Sequence, residues 1–174
     1  PRLPFFDSAA HMDALLRVKI ALLKGKSGVA FLKPTTRQLE VSNLAFPQLM
    51  DYLQFCKKTG IDKGETLIVV VEAGWMVRKS NFHEAQGHRA EKIAKDVGAN
   101  HETGRKIIEM CKHYGINVLE HAPLVKCWKG KDRKITQEEL ASFTGLTGRT
   151  NQDGRDAALL AWVFSGLPIK VKVG

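Results

Sequence analysis

Three carboxylates occupy positions from which an α/β protein could carry out metal-dependent chemistry. Glu72 directly follows Leu67–Val71, five consecutive aliphatic residues that predict a fully buried central strand. The end of such a strand is where α/β proteins place ligand sites, and an exposed strand-end charge explains the glutamate equally well. Asp153 and Asp156 are three residues apart on one face of a predicted helix, where the helix dipole and exposure to water are competing explanations. Together the three side chains could hold Mg2+, which activates water in phosphodiester cleavage.

The charge of the chain favours a polyanionic partner. Its 174 residues include 27 Lys and Arg against 18 Asp and Glu, which gives a formal net charge of +9 and a pI near 9.6. Such an excess suits nucleic acid or an anionic membrane surface. Acids are interleaved with the cations, so part of the charge belongs to solvated helix faces, and we interpret the remainder as a surface for phosphate contacts. The cations concentrate in two stretches, which contain Arg78, Lys79, Arg89, Lys92, Lys95, Arg105, Lys106 and Lys112, and then Lys126, Lys129, Lys131, Arg133 and Lys134.

Two tryptophans lie close to these cations. Trp75, shortly before two basic residues, could stack on an unpaired base or wedge into it, or it could pack behind the sheet as a core residue. Trp128 stands between two lysines, an arrangement typical of a nucleic-acid-binding loop and equally compatible with packing. The third tryptophan, Trp162, follows a run of apolar residues in the last predicted helix, so we expect it in the core.

The order of predicted elements indicates one mixed α/β sheet with helices on both faces. Glycines between the first two apolar runs favour a hairpin, and a capping-box pattern begins at Thr136. The predicted strands are Arg17–Leu23, Gly28–Leu32, Gln38–Val41, Leu67–Val71 and Ile116–Leu119. The predicted helices are one opening at Pro47 and ending at Gly60, then Ala85–Val97, Glu102–Tyr114, one starting at Thr136, and Gln152–Phe164.

The chain is expected to be one domain over residues 12–174. Pro1–His11 look foreign to the fold, because His11 and Met12 resemble the junction left by a common cloning site. No apolar run is long enough to span a bilayer, and no secretory signal pattern is present, so no membrane association is expected. Cys56, Cys111 and Cys127 are odd in number and lack metal-ligand spacing, which favours a reducing, cytoplasmic location.

Two segments resemble the motifs of the RuvC-type Holliday-junction resolvases, especially their divergent phage and bacterial members. Val69–Met76, with the glutamate at position 72, is similar to the second acidic motif of that family, which often carries an aromatic residue where Trp75 stands. Asn151–Ala158 is similar to the final motif, in which two acidic positions three residues apart precede small apolar residues. The resemblance extends from about Arg17 to Phe164.

The resemblance implies a ribonuclease H-like fold and a structure-selective endonuclease that acts in DNA recombination and repair. A homodimer would nick opposed strands of a four-way DNA junction with Mg2+ or Mn2+ as cofactor. Glu72, Asp153 and Asp156 would be the catalytic metal ligands. The DNA-binding residues would be Lys126 and Lys134 beside the scissile phosphate, together with Trp75, Arg78, Lys79, Lys129, Lys131 and Arg133.

One position departs from the family pattern. The family carries an aspartate on the first strand, and the corresponding residue here is Leu23 or Leu22, neither of which can bind Mg2+. Two interpretations therefore stay open: an active nuclease, or a branched-DNA-binding protein of the same fold with impaired catalysis. A nuclease acting on RNA–DNA hybrids is a third hypothesis.

Overall fold

The chain forms a five-stranded mixed sheet. The computed structural model describes residues 15–21, 25–77 and 87–170. Along the chain the elements are β1 (Leu15–Ala21), β2 (Lys26–Lys33), β3 (Gln38–Ala45), α1 (Phe46–Asp62), β4 (Thr66–Glu72), α2 (His88–His113), β5 (Asn117–His121), α3 (Gln137–Thr144) and α4 (Gln152–Phe164). The strand order is β3-β2-β1-β4-β5. β1, β2 and β3 pair antiparallel, whereas β4 and β5 continue the sheet in parallel with β1. The predicted mixed α/β sheet is confirmed.

Alternating side chains of the strands are buried on opposite faces of the sheet, so that each face carries a core of its own. In β2, Val29 belongs to the core beneath α1 and α2, whereas its neighbour Ala30 belongs to the core beneath α3 and α4. Trp162 lies fully within the second core, as expected, and its Nε1 donates to the carbonyl oxygen of Pro168 at 3.0 Å. Helices therefore cover both faces, as the order of elements predicts.

Side-chain caps fix the starts of two helices, and the one at Thr136 is the cap that the sequence predicts. The Thr136 hydroxyl accepts a hydrogen bond from the Glu139 amide at 3.2 Å, and the Glu139 carboxylate accepts one from the Thr136 amide at 3.0 Å. Asn151 caps α4 by accepting from the Gly154 amide at 2.9 Å. These contacts satisfy amide groups that have no partner within the helix, and they fix where α3 and α4 begin.

The two helices predicted between β4 and β5 form one helix within the described residues. α2 continues through Gly98 instead of stopping there, so the prediction of a helix end at this glycine is wrong. Glycine disfavours a helix interior by only about 0.5–1 kcal/mol, and the helix formers on either side of it outweigh that cost. Gly115, the second predicted stop, does follow the helix end and has a φ of 62°, which favours glycine.

Parallel pairing brings the ends of three strands to one edge of the sheet. β1 pairs with β4 as far as Ile20 opposite Val71, and Glu72 in β4 stands opposite His121 in β5. Glu72 therefore ends its strand at the edge where β1 and β5 also end, as predicted. None of the helices in the described ranges is both long and apolar enough to cross a membrane.

Candidate functional site

A cleft of about 270 Å3 at this edge of the sheet brings together five of the predicted site residues. Glu72 and Asp156 contribute the two acidic side chains, and Lys126, Arg133 and Lys134 contribute three basic ones. The apolar part of the wall comes from elements that flank them, and consists of Pro123, Leu124, Val125, Trp128, Ile135 and Leu159. Residues separated by up to 87 positions in the sequence thus meet in one concave site that carries both signs of charge.

Asp156 is held by two donors. The Lys134 Nζ lies 3.2 Å from its Oδ2, and the Gln152 Nε2 donates to its Oδ1 at 2.7 Å. Gln152 stands four residues earlier on α4, where helix geometry places it on the same face. Both carboxylate oxygens are therefore oriented before any ligand binds.

The segment that carries Lys134 is tied to α4 through a buried neighbour. The carbonyl oxygen of Ile135, a residue only 1% exposed, accepts from Arg155 Nε at 3.2 Å and from Gln152 Nε2 at 3.4 Å. Arg155 also donates to the carbonyl oxygen of Thr150 at 2.5 Å. Sequence reasoning missed Gln152 and Arg155 as organisers of the site. The spacing of four between Gln152 and Asp156 was an available signal, whereas the contacts of Arg155 depend on the tertiary fold.

Asp153 does not line the cleft, although it lies on the same helix turn as Asp156. Its side chain is half-buried, and burial raises its pKa above the ordinary value of 3.8. The negative charge of Asp156 raises that pKa further, and the Lys134 ammonium acts in the opposite direction. The carboxylate of Asp153 thus adds negative charge beside the cleft in an environment that disfavours its ionised form.

Replacing Asp153 by Asn should stabilise the protein at neutral pH. Because the folded state raises the pKa of this carboxyl, the folded chain binds its proton more tightly than the unfolded chain, and stability is lost as the pH rises from 3.8 through the raised value. Urea unfolding of Asp153→Asn should therefore show an advantage at neutral pH that shrinks as the pH is lowered towards 3.8. Asp51→Asn, at an exposed position of α1, is the charge-matched control. An advantage independent of pH would contradict this account.

The donor set fits a divalent cation that takes part of its coordination from substrate. Within the described ranges, no group of three or more His, Cys, Asp and Glu side chains is placed to hold a metal ion. Glu72 and Asp156 nevertheless open on the same cleft. Mg2+ is commonly held by one or two carboxylates together with water and phosphate oxygens, so two acidic side chains beside basic ones are compatible with such an ion.

The basic loop before α3, residues 128–134, is held in a fixed shape by hydrogen bonds within its own backbone. The amide of Trp128 donates to the carbonyl oxygen of Arg133 at 3.1 Å, and the amide of Gly130 donates to that of Lys134 at 3.0 Å. Asp132 and Arg133 both have positive φ angles, 55° and 59°, which are uncommon outside glycine and are often found at functional sites. The loop and the residues just before it expose four cations to solvent, namely Lys126, Lys129, Lys131 and Arg133.

Both tryptophans considered for DNA contact pack against protein in this structure. The half-buried Trp75 donates from Nε1 to Glu120 at 3.0 Å, meets the His101 ring edge-on and lies 5.5 Å below the Arg105 guanidinium. Trp128 stacks on Phe143 with 6.1 Å between ring centroids. The packing alternative therefore holds for each of them in the free protein, while Trp128 also contributes to the cleft wall. A role for either ring on DNA stays a prediction.

Several predicted positions lie outside the described residues. Leu22 and Leu23, the positions of the altered first-strand acid, belong to this group, as do Arg78 and Lys79 and the segment Pro1–His11. Their proposed roles stay predictions.

Comparison with known proteins finds similarity only at the level of structure. No family model and no curated protein matches the sequence. RuvC of T. thermophilus, solved in complex with a Holliday junction substrate, is 12% identical with a TM-score of 0.49, over 84% of this chain and 90% of that one. The catalytic core domain of BIV integrase is 15% identical with a TM-score of 0.28, over 85% of this chain and 82% of that one. Similarities this distant say nothing about the activity of this chain.

Proposed function

We propose that the protein is a structure-selective, divalent-metal-dependent DNA endonuclease of the RuvC type, with a ribonuclease H-like fold, that resolves four-way junctions. The observation that carries the proposal is the shared cleft of Glu72, Asp156, Lys126, Arg133 and Lys134. Metal-dependent cleavage of DNA requires basic side chains that bind the phosphate backbone and acidic side chains that bind a divalent ion at the scissile bond. This cleft offers side chains of both kinds. The motif resemblance over residues 69–76 and 151–158 supports the same activity.

The side chains divide the work according to their charge. Lys126 and Arg133, both exposed, bind the phosphates that flank the scissile bond. Glu72 and Asp156 would hold Mg2+ or Mn2+, which would supply an activated water and stabilise the leaving oxygen. Gln152 keeps the Asp156 carboxylate oriented towards the cleft. Asp153 contributes negative charge from the adjacent helix position.

A junction resolvase must cut two strands, which a single cleft cannot do at once. We therefore include in the proposal a homodimer whose two clefts nick opposed strands of the branched DNA. The expected setting is DNA recombination and repair in the cytoplasm of a bacterium or of a phage-infected cell.

A gel assay of purified protein with a labelled four-way junction tests the proposal. Paired, symmetrical nicks that require Mg2+ or Mn2+ are expected on the junction, with little cutting of linear duplex of the same sequence. An RNA–DNA hybrid run beside the junction separates this activity from that of a hybrid-specific nuclease. Preferential cutting of the hybrid, or no metal-dependent nicking at all, would overturn the proposed activity.

A second candidate function is branched-DNA binding without cleavage. It is favoured by one observation: both oxygens of Asp156 already have protein donors, Lys134 and Gln152. The leucine at position 22 or 23, where the family carries an acid, points the same way. Tight binding of the four-way junction with no nicks over a wide range of metal concentration would identify this function instead.

Removing a cation from the cleft should weaken binding to every DNA sequence alike. Lys126→Ala is expected to lower junction affinity and to reduce the slope of log K against log salt by about 1, because one phosphate contact is lost. Binding should be measured by fluorescence anisotropy over a salt series. Lys58→Ala removes an equal charge from an exposed position of α1. Equal effects of the two variants would show that the cleft is not where phosphates bind.

A further inference from the structure

We propose that Lys134 is a displaceable cap on the metal-binding carboxylate of Asp156, released when a DNA phosphate takes up its ammonium group. This inference rests on the proposed function for the identity of the metal and the phosphodiester. It adds a coupling between the two ligands: a bound DNA phosphate favours binding of the divalent ion, and a bound ion favours binding of the phosphate.

The ion pair occupies the carboxylate that a metal would need. The Lys134 Nζ is 3.2 Å from Oδ2 of Asp156, while the Gln152 amide satisfies Oδ1. A lysine ammonium and a divalent cation cannot occupy the same side of one carboxylate oxygen, because they repel each other at that distance. Binding of a metal at Oδ2 on the side that the ammonium occupies therefore requires Lys134 to move.

The surroundings allow the lysine side chain to move without the backbone. The Lys134 and Asp156 side chains are 32% and 26% exposed, so an incoming group can reach the pair from the cleft. The backbone on either side is fixed, by the Gly130 amide on the Lys134 carbonyl oxygen and by the Gln152 and Arg155 contacts to Ile135. Movement is thus confined to the flexible four-carbon stem of the lysine.

A DNA phosphate can compete with Asp156 for the Lys134 ammonium group and can also supply oxygen ligands to the metal. Lys126 and Arg133 line the same cleft, so a backbone phosphate bound there would compete with Asp156 for the Lys134 ammonium. Once uncapped, Asp156 offers a carboxylate oxygen to the cleft that Glu72 also lines, and two acidic side chains in one cleft favour a bound cation. The same phosphate supplies the oxygen ligands that two carboxylates leave missing. Metal and DNA therefore bind cooperatively, and the free protein holds metal weakly.

The first test measures Mn2+ binding to DNA-free protein by electron paramagnetic resonance. Lys134→Met keeps the stem and removes the charge, and it is expected to bind Mn2+ roughly fivefold more tightly than the wild type, the factor expected when one competing ion pair is removed. Lys134→Gln should behave similarly, and adding Asp156→Asn to Lys134→Met should cancel the gain. Lys129→Met, which removes an exposed charge from the same loop, is the control. Equal affinities of the wild type and both Lys134 variants, each with native thermal unfolding, would overturn the proposal.

The second test measures the reciprocal effect on DNA in EDTA. Asp156→Asn frees the lysine and should tighten binding of a four-way junction more than Asp132→Asn, which removes an equal charge from the basic loop. Equal effects of these two variants would also overturn the cap. Neither test uses cleavage. The affinities for Mn2+ and DNA test whether Lys134 caps Asp156, whereas nicking of the junction by the wild-type protein tests the proposed function.

Discussion

Asp156→Asn is expected to abolish metal-dependent nicking of a four-way junction while junction binding persists. The amide of asparagine keeps the size and the contact with Gln152 but loses the negative charge that attracts a divalent cation. Mutating even the groups that orient metal ligands typically costs about 10–100-fold, so loss of a ligand should lower the nicking rate by at least about 100-fold. The nicking rate under single-turnover conditions is the quantity to measure.

Two controls make this result specific to the cleft. Asp132→Asn removes a carboxylate from the adjacent basic loop and should nick at nearly the wild-type rate, because Asp132 does not line the cleft. Anisotropy binding of the junction in EDTA establishes that Asp156→Asn is folded and still reaches its DNA. Wild-type nicking by Asp156→Asn would remove this carboxylate from the active site.

Most of the fold could be predicted because its local patterns and its tertiary contacts agree. The aliphatic run of β4 and the capping box at Thr136 each specify one local conformation. Gly98 was misjudged for the opposite reason. A glycine is only a weak signal for a helix end, because its cost within a helix is small. The local sequence does not show whether the helical turns on either side will outweigh that cost.

The site was less predictable than the sheet, because contacts between distant segments decide it. Strand-end position correctly placed Glu72 at the sheet edge, and helix spacing placed Asp153 and Asp156 on one turn. Spacing alone could not show that Asp156 lines the cleft while Asp153 does not. The pairing of Lys134 with Asp156 spans 22 positions and depends on how the basic loop folds back on α4.

Gly28 in β2 lies where the first turn of α4 approaches the sheet closely enough to leave no room for a side chain. A Cβ atom at residue 28 would overlap the backbone of Asp153 and Gly154, in the first turn of α4. Backbone on one side and a central strand on the other leave little room for relaxation. The absence of a side chain at Gly28 therefore allows the first turn of α4, which carries Asp153, to lie directly against β2.

Gly28→Ala should accordingly destabilise the protein and impair nicking together. Overpacking of this kind costs about 1–3 kcal/mol, and displacement of a catalytic group by about 1 Å can lower a rate on the order of 100-fold. Gly98→Ala is the matched control, since a Cβ there meets nothing within 4 Å and the change should stabilise α2 by about 0.5–1 kcal/mol. Urea unfolding gives the stability of each variant, and single-turnover nicking well below the unfolding transition gives the rate. If Gly28→Ala lost stability but kept its nicking rate, the packing of α4 on β2 would stabilise the fold without positioning the carboxylates.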